Sequence, residues 1–101
     1  MTIIKRSGIL EWTRENIDKV PDATGVYDLR SSPSGSDILY IGRNIAPRRL
    51  RERILDHWQE KDVPNVKHFA WYQTDTEENA KKIEDKWIED IKPPHNIKQK
   101  Q

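Results

Sequence analysis

The chain contains no cysteine. That absence excludes disulfide staples, thiolate-bound zinc and a cysteine nucleophile, and it suits a reducing compartment. Long apolar runs are missing as well, for no stretch approaches the roughly 20 residues that a membrane-spanning helix needs. The amino terminus has no signal-peptide core, so a soluble, cytoplasmic protein without a membrane partner is the expectation. Charge of one sign is also lacking: 18 Lys and Arg stand against 17 Asp and Glu. Nothing in that balance argues for an electrostatic coat around nucleic acid. Only 34% of residues are hydrophobic against 35% charged, so the core must be small and the surface well solvated. Four tryptophans supply large apolar area from few positions. At 101 residues the chain reads as one domain covering residues 1–101.

The balanced charge is unevenly spread. Arg43, Arg48, Arg49, Arg51 and Arg53 crowd a short stretch that holds one acid, Glu52, and the tail adds Lys92, Lys98 and Lys100. Acids gather instead over residues 75–90. A basic side and an acidic side follow, although a solvated helix face explains such a run equally well.

Residues 25–30 and 38–42 are rich in β-branched, aromatic and aliphatic side chains and flank a Ser/Pro/Gly/Asp cluster, which predicts a β-hairpin with a longer loop. Positions near the open end of such a hairpin lie side by side, so Tyr27 and Tyr40 present two phenols to one site. Upstream, residues 1–6 form either a frayed end or an edge strand. Ser7 as a cap predicts a helix over 7–20, packing Trp12 and Ile17 on the sheet and stopped by Pro21. Downstream, Pro47 suits the first turn of a helix over 47–60. Leu50, Ile54 and Trp58 recur at helical spacing as its buried stripe, with Arg53 and His57 four apart beside it, at the edge of the core. A planar guanidinium there can grip a phosphate through two hydrogen bonds. The plainer alternative pairs Arg53 with a surface acid and leaves His57 to pack.

Residues 66–72 alternate as a third strand with both faces partly apolar, hence covered by helices on both sides, with His68 and Tyr72 as packing residues. Thr74 and Asp75, each with a glutamate three residues on, cap a helix that runs to about Ile91 and ends at Lys92-Pro93-Pro94. Its stripe is Ala80, Ile83, Trp87, Ile88 and Ile91, and Glu84 falls inside it. A carboxylate so placed needs an arginine, a hydrogen-bonded network or a metal, because its charged form loses hydration.

Taken together, these pieces resemble a known family. Gly25-Val26-Tyr27 followed by Tyr40-Ile41-Gly42 is similar to the signature of the GIY-YIG nucleases, with valine for isoleucine. The resemblance continues through Arg53 and His57 on one helix, Glu84 on the next and Asn96 beyond it, in family order. His95 stands where the family's tyrosine precedes that asparagine, the loop between Gly42 and Arg53 is longer than in compact members, and Arg43 takes a position that is often lysine.

The resemblance implies an α/β (α+β) fold, a central three-stranded antiparallel sheet flanked by helices. It also implies a metal-dependent endonuclease hydrolysing DNA phosphodiester bonds in repair, restriction or mobile-element processing. The catalytic residues would be Tyr27, Tyr40, Arg53, His57 and Glu84. Glu84 would hold Mg²⁺ (or Mn²⁺) on the leaving 3′ oxygen, and Arg53 would bind the scissile phosphate. Tyr27 or His57 would act on the attacking water, a choice the sequence leaves open, with Tyr40 holding the network. Gly25 and Gly42 would allow close backbone approach, and Asn96 would hydrogen-bond near Tyr40 or Glu84. Arg43, Arg48, Arg49 and Arg51 would track DNA, the expected partner, alongside a homodimer mate or a separate targeting protein. Two competing readings are a catalytically idle nucleic-acid-binding module on the same scaffold and a purely structural domain with Glu84 paired to Arg53.

Overall fold

The computed structural model describes residues 3–99. Met1, Thr2, Lys100 and Gln101 lie outside them, so the frayed end or edge strand expected over residues 1–6 is described from Ile3 onward and Lys100 of the expected basic tail is not. In chain order the elements are β1 (Ile3–Arg6), β2 (Leu10–Glu11), α1 (Arg14–Asp18), β3 (Gly25–Arg30), a 3-10 turn (Gly35–Asp37), β4 (Ile38–Arg43), α2 (Leu50–Glu60), β5 (His68–Thr74), α3 (Glu77–Ile91) and α4 (Pro94–Gln99). The strands make one antiparallel sheet in the order β1–β5–β3–β4, with β2 also paired to β5.

The predicted three-stranded centre is therefore present, but the sheet has five strands. Of the additional two, β1 lies where an edge strand was one of the two expectations, and β2 lies in the segment expected to be the first helix. β5 has a row of main-chain donors and acceptors along its outer edge that need partners. β1 pairs with its residues 72–74 and β2 with Phe69 and His68. Between them Gly8 takes φ +75, while the Ser7 amide donates to the Trp71 carbonyl and the Trp71 amide to Ser7 Oγ, each at 3.1 Å. The helix shrinks to α1, capped by Thr13, whose Oγ accepts from the Asn16 amide at 3.2 Å.

Alternation along the strands builds two cores. Tyr27, Leu29, Tyr40, Phe69 and Trp71 face α1 and α2, where Ile17, Val20, Leu50 and Ile54 meet them. Val26 and Ile41 face Ala80 and Ile83 of α3. Packing on both faces leaves all of β3 buried. On the α3 side this includes an ion pair: Arg30 Nε and Nη2 donate to Asp28 at 2.6 and 3.0 Å, and the Tyr72 hydroxyl donates to Asp28 Oδ2 at 2.8 Å.

Three boundaries differ from expectation. α2 starts at Leu50 rather than Pro47, because residues 45–48 form a turn closed by the Arg48 amide on the Ile45 carbonyl (3.0 Å) and Glu52 accepts from the Arg49 amide (2.9 Å) at the helix entrance. β5 is shifted two residues along the chain, since Lys67 spends its amide and carbonyl on Arg30 and Trp12 ahead of the regular ladder. The cap of α3 is Thr76, accepting from the Asn79 amide at 3.1 Å, while Thr74 donates to the Thr76 carbonyl. α4, unforeseen, opens on Pro94, where a missing amide costs nothing.

Candidate active site

Strand register puts Tyr27 opposite Gly42 and Leu29 opposite Tyr40. The phenol of Tyr27 crosses over the glycine. A Cβ at position 42 would sit 2.5 Å from Tyr27 Cζ and 2.9 Å from Tyr40 Cε2, so only glycine leaves room for both rings. The two tyrosine rings are 6.3 Å apart between centroids, and the His57 imidazole from α2 packs against both, at 5.5 and 5.0 Å. Tyr27 Oη is hydrogen-bonded to His57 Nε2 at 2.7 Å, and His57 Nδ1 lies 2.8 Å from Asp62 Oδ1. Burial pushes the Tyr27 phenol well above its ordinary value, with the Tyr40 phenol adding to the rise and Arg53 opposing it. Tyr27 is thus a neutral hydroxyl at physiological pH.

Arg53, one helical turn before His57, is 28% exposed and donates to Asp56 at 3.3 Å. Burial works against its charge, but Tyr27, Tyr40 and Asp56 outweigh that and hold the guanidinium cationic.

Glu84 approaches from the other side of the sheet. Its partner is Arg43, next to Gly42 but facing α3, with Nε to Oε1 at 3.1 Å and both side chains less than a fifth exposed. The carboxylate inside the apolar stripe therefore has an arginine, and it is Arg43 rather than Arg53. Burial raises the Glu84 carboxyl, and Arg43 offsets this only in part. Its field reaches Tyr27. Residues 42 and 43 thus join the phenol–imidazole cluster on one face to the carboxylate on the other.

No group of three His, Cys, Asp or Glu side chains converges among the described residues. Glu84 offers one carboxylate with Oε1 bonded to Arg43. A divalent magnesium ion commonly takes one or two carboxylates, several waters and a substrate phosphate, and this donor fits that habit while leaving most of the coordination shell to water and substrate.

The remaining predicted residues divide between framework and surface. Asn96 of α4 clamps the exposed edge of β4: its Oδ1 accepts from the Ile41 amide at 2.7 Å and its Nδ2 donates to the Ile41 carbonyl at 2.8 Å. These bonds lie next to Tyr40 in the chain and fix the backbone between Tyr40 and Gly42. Gly25 passes so close to β5 that a Cβ would collide with the Tyr72 carbonyl oxygen and lie 3.1 Å from Leu50 Cδ2. Arg48 pairs with Asp56 and Glu52, Arg49 with Asp22, and Arg51 donates to the Val20 carbonyl. Arg48 and Arg49 are nearly half exposed, and surface pairs of that kind contribute little and exchange partners easily.

Sequence reasoning missed two residues. Asn44, 1% exposed, accepts the Gly25 amide at 2.9 Å and donates to the Arg48 carbonyl, locking the strand ends behind the site. Asp62 follows α2 and returns to His57. Only the polar residue just past each element hinted at either.

Comparison with known proteins gives relatives of one kind. The chain is 29% identical to UvrABC system protein C of Methanothermobacter thermautotrophicus over 82% of its length, which is 15% of that protein. It is 32% identical to UvrABC system protein C of Thermoanaerobacter pseudethanolicus, again over 82% of its length and 14% of the relative. A third relative of the same name, from Synechococcus sp., is 26% identical over 94% of the chain and 16% of the relative, a span that takes in Tyr27 through Glu84 wherever it begins. The chain thus spans about a seventh of the length of the curated relatives it matches. No family model matches, and no solved structure matches at comparable significance. Among the described residues, no helix is long and apolar enough to cross a membrane.

Proposed function

On the premise that the chain is a GIY-YIG domain, we propose that it is a metal-dependent endonuclease hydrolysing DNA phosphodiester bonds. The observation that carries this reading is the hydrogen bond between Tyr27 and His57, flanked by Tyr40 and Arg53. A phosphodiester repels nucleophiles, so its hydrolysis needs a cation at the phosphate, a base for water and charge stabilisation for the leaving oxygen. Arg53, partly exposed and cationic, binds the scissile phosphate and offsets the charge that grows on it. Tyr27 is too hard to ionise to serve as a free phenolate. It acts with His57 as a unit, its oxygen taking a proton from the attacking water while its own proton passes to Nε2. The P–O bond to the 3′ oxygen breaks as the new P–O bond forms. Tyr40 packs the imidazole in place.

Glu84 would hold Mg²⁺ (or Mn²⁺), which when bound stabilises the negative charge on the leaving 3′ oxygen. Of Arg43, Arg48, Arg49 and Arg51, Arg48 and Arg49 are the most open to a DNA backbone. Among repair, restriction and mobile-element processing we favour repair, on the similarity to the UvrABC proteins. A cytoplasmic location and substrate choice through a homodimer or a separate targeting protein belong to the same reading.

The test is cleavage of supercoiled plasmid and branched DNA by the purified protein with Mg²⁺ or Mn²⁺ and with a chelator. Metal-dependent nicking is expected. DNA binding without cleavage under every metal condition would replace the nuclease by an idle binding module.

A further inference from the structure

We infer that Asp62 is a positioning residue of this site, one that holds the His57 imidazole as its Nδ1–H tautomer so that Nε2 accepts from Tyr27. The inference rests on the nuclease reading for its catalytic meaning, but its structural half stands without it.

His57 is 4% exposed and touches a polar atom at each ring nitrogen, Asp62 Oδ1 at 2.8 Å and Tyr27 Oη at 2.7 Å. An ionised carboxylate only accepts hydrogen bonds, so Nδ1 must donate to Asp62. The opposite tautomer would set a nitrogen lone pair against a carboxylate oxygen at 2.8 Å, which is repulsive. A neutral imidazole that donates from Nδ1 presents a lone pair at Nε2, and the Tyr27 hydroxyl, which burial keeps protonated, is the donor that meets it. The direction of the whole chain of bonds, Tyr27 to His57 to Asp62, follows from one acceptor-only group at its end.

Local structure explains why Asp62 is there. α2 ends with Lys61 in the left-handed region, φ 54, its amide closing on the His57 carbonyl at 2.9 Å. That reversal carries residue 62 back over the last turn, and Val63, 7% exposed, seats the chain in the core just beyond it. Asp62 itself remains 40% exposed, so water reaches the carboxylate that His57 meets. When a proton reaches Nε2, the same carboxylate faces the resulting imidazolium and stabilises it. A carboxylate orienting a histidine that in turn activates a hydroxyl is the general logic of base–orienter pairs.

The experiment is nitrogen NMR of the histidine side chains in the native protein and in Asp62→Asn and Asp62→Ala, with His57→Gln to assign the signal, together with steady-state DNA cleavage and melting of each variant. The expected native signature is the Nδ1–H tautomer. In Asp62→Asn the amide can either accept from Nδ1–H or donate to Nδ1, so the Nδ1–H form is no longer imposed, and Asp62→Ala, with no partner at that nitrogen, gives a mixture. Cleavage should fall in kcat by about 10- to 100-fold, the usual cost of losing a partner that orients a histidine, with KM, DNA affinity and melting unchanged. A native Nε2–H tautomer, or an Asp62→Ala protein with native tautomer and native kcat, would overturn the inference. A native protein with no cleavage activity overturns the nuclease reading instead, and the tautomer result then decides the role of Asp62 alone.

Discussion

The phenol of Tyr27 lies against Gly42, its register partner on the neighbouring strand, and reaches past it to His57. This single relationship explains why the two tripeptides need each other. The glycine of the second clears the space that the tyrosine of the first occupies. Gly42→Ala would press a Cβ on a ring that is fully buried and cannot retreat. Overpacking of this kind costs about 1–3 kcal/mol. A urea melt should show that loss, and cleavage should fall more than stability alone explains, because the Tyr27–His57 bond is displaced.

Asn96 performs the corresponding task on the open edge. It satisfies both the amide and the carbonyl of Ile41 as a further strand would. Asn96→Ala leaves two buried main-chain groups without their partner, and each unsatisfied group costs about 1–3 kcal/mol. Asn96→Asp should be no better, because a carboxylate cannot donate to the Ile41 carbonyl. Chemical denaturation of the two variants checks this ordering.

Two tyrosines make the fold sensitive to alkali. Tyr72 is pushed up to about 12, by burial first and then by Asp28 beside it, and burial holds Tyr27 well above its ordinary value. The native state therefore keeps protons that the unfolded chain releases near pH 10. Their contribution is complete below about pH 10 and is lost progressively as pH rises toward the folded values, so stability falls with pH across that window. Ultraviolet titration should show the phenolate signals of Tyr27 and Tyr72 appearing with unfolding rather than ahead of it. Tyr72→Phe should remove part of the alkaline slope.

Glu84 and Arg43 give a separable prediction. Chelation should abolish cleavage while leaving the melting temperature unchanged within about 1 °C, because a lone carboxylate holds a divalent ion too weakly to stabilise the fold by mass action. Thermal melts with and without chelator decide it.

The hairpin, the stripe of α2 and the stripe of α3 up to Ile88 were legible because each is a periodic pattern that local chemistry enforces, whereas Ile91, placed in the same stripe, is 44% exposed at the end of the helix. Glu84 betrayed itself by sitting in that stripe. Its partner did not, because Arg43 is 41 positions away and reaches it only once α3 packs on the far face of β4. The segment ahead of α1 read as helix, yet two-residue β2 has no period to detect and exists because the edge of β5 needs partners. Asp62 stayed hidden because it lies five positions after His57, a spacing that faces away on a helix. It returns only through the left-handed turn at Lys61.

The most direct test of the central claim compares native protein, Tyr27→Phe and Glu84→Gln in Mg²⁺-dependent nicking of one supercoiled plasmid. Tyr27→Phe keeps the ring over Gly42 and removes only the hydroxyl, and Glu84→Gln keeps the volume and removes only the charge. The expected result is native nicking, a loss of about 100-fold or more in Tyr27→Phe, in line with removal of a general acid–base group, a marked loss in Glu84→Gln, which removes the charge that would hold the metal, and undiminished DNA binding in all three. Equal activity in the three proteins would contradict the site, and a native protein that binds but never cuts would contradict the nuclease.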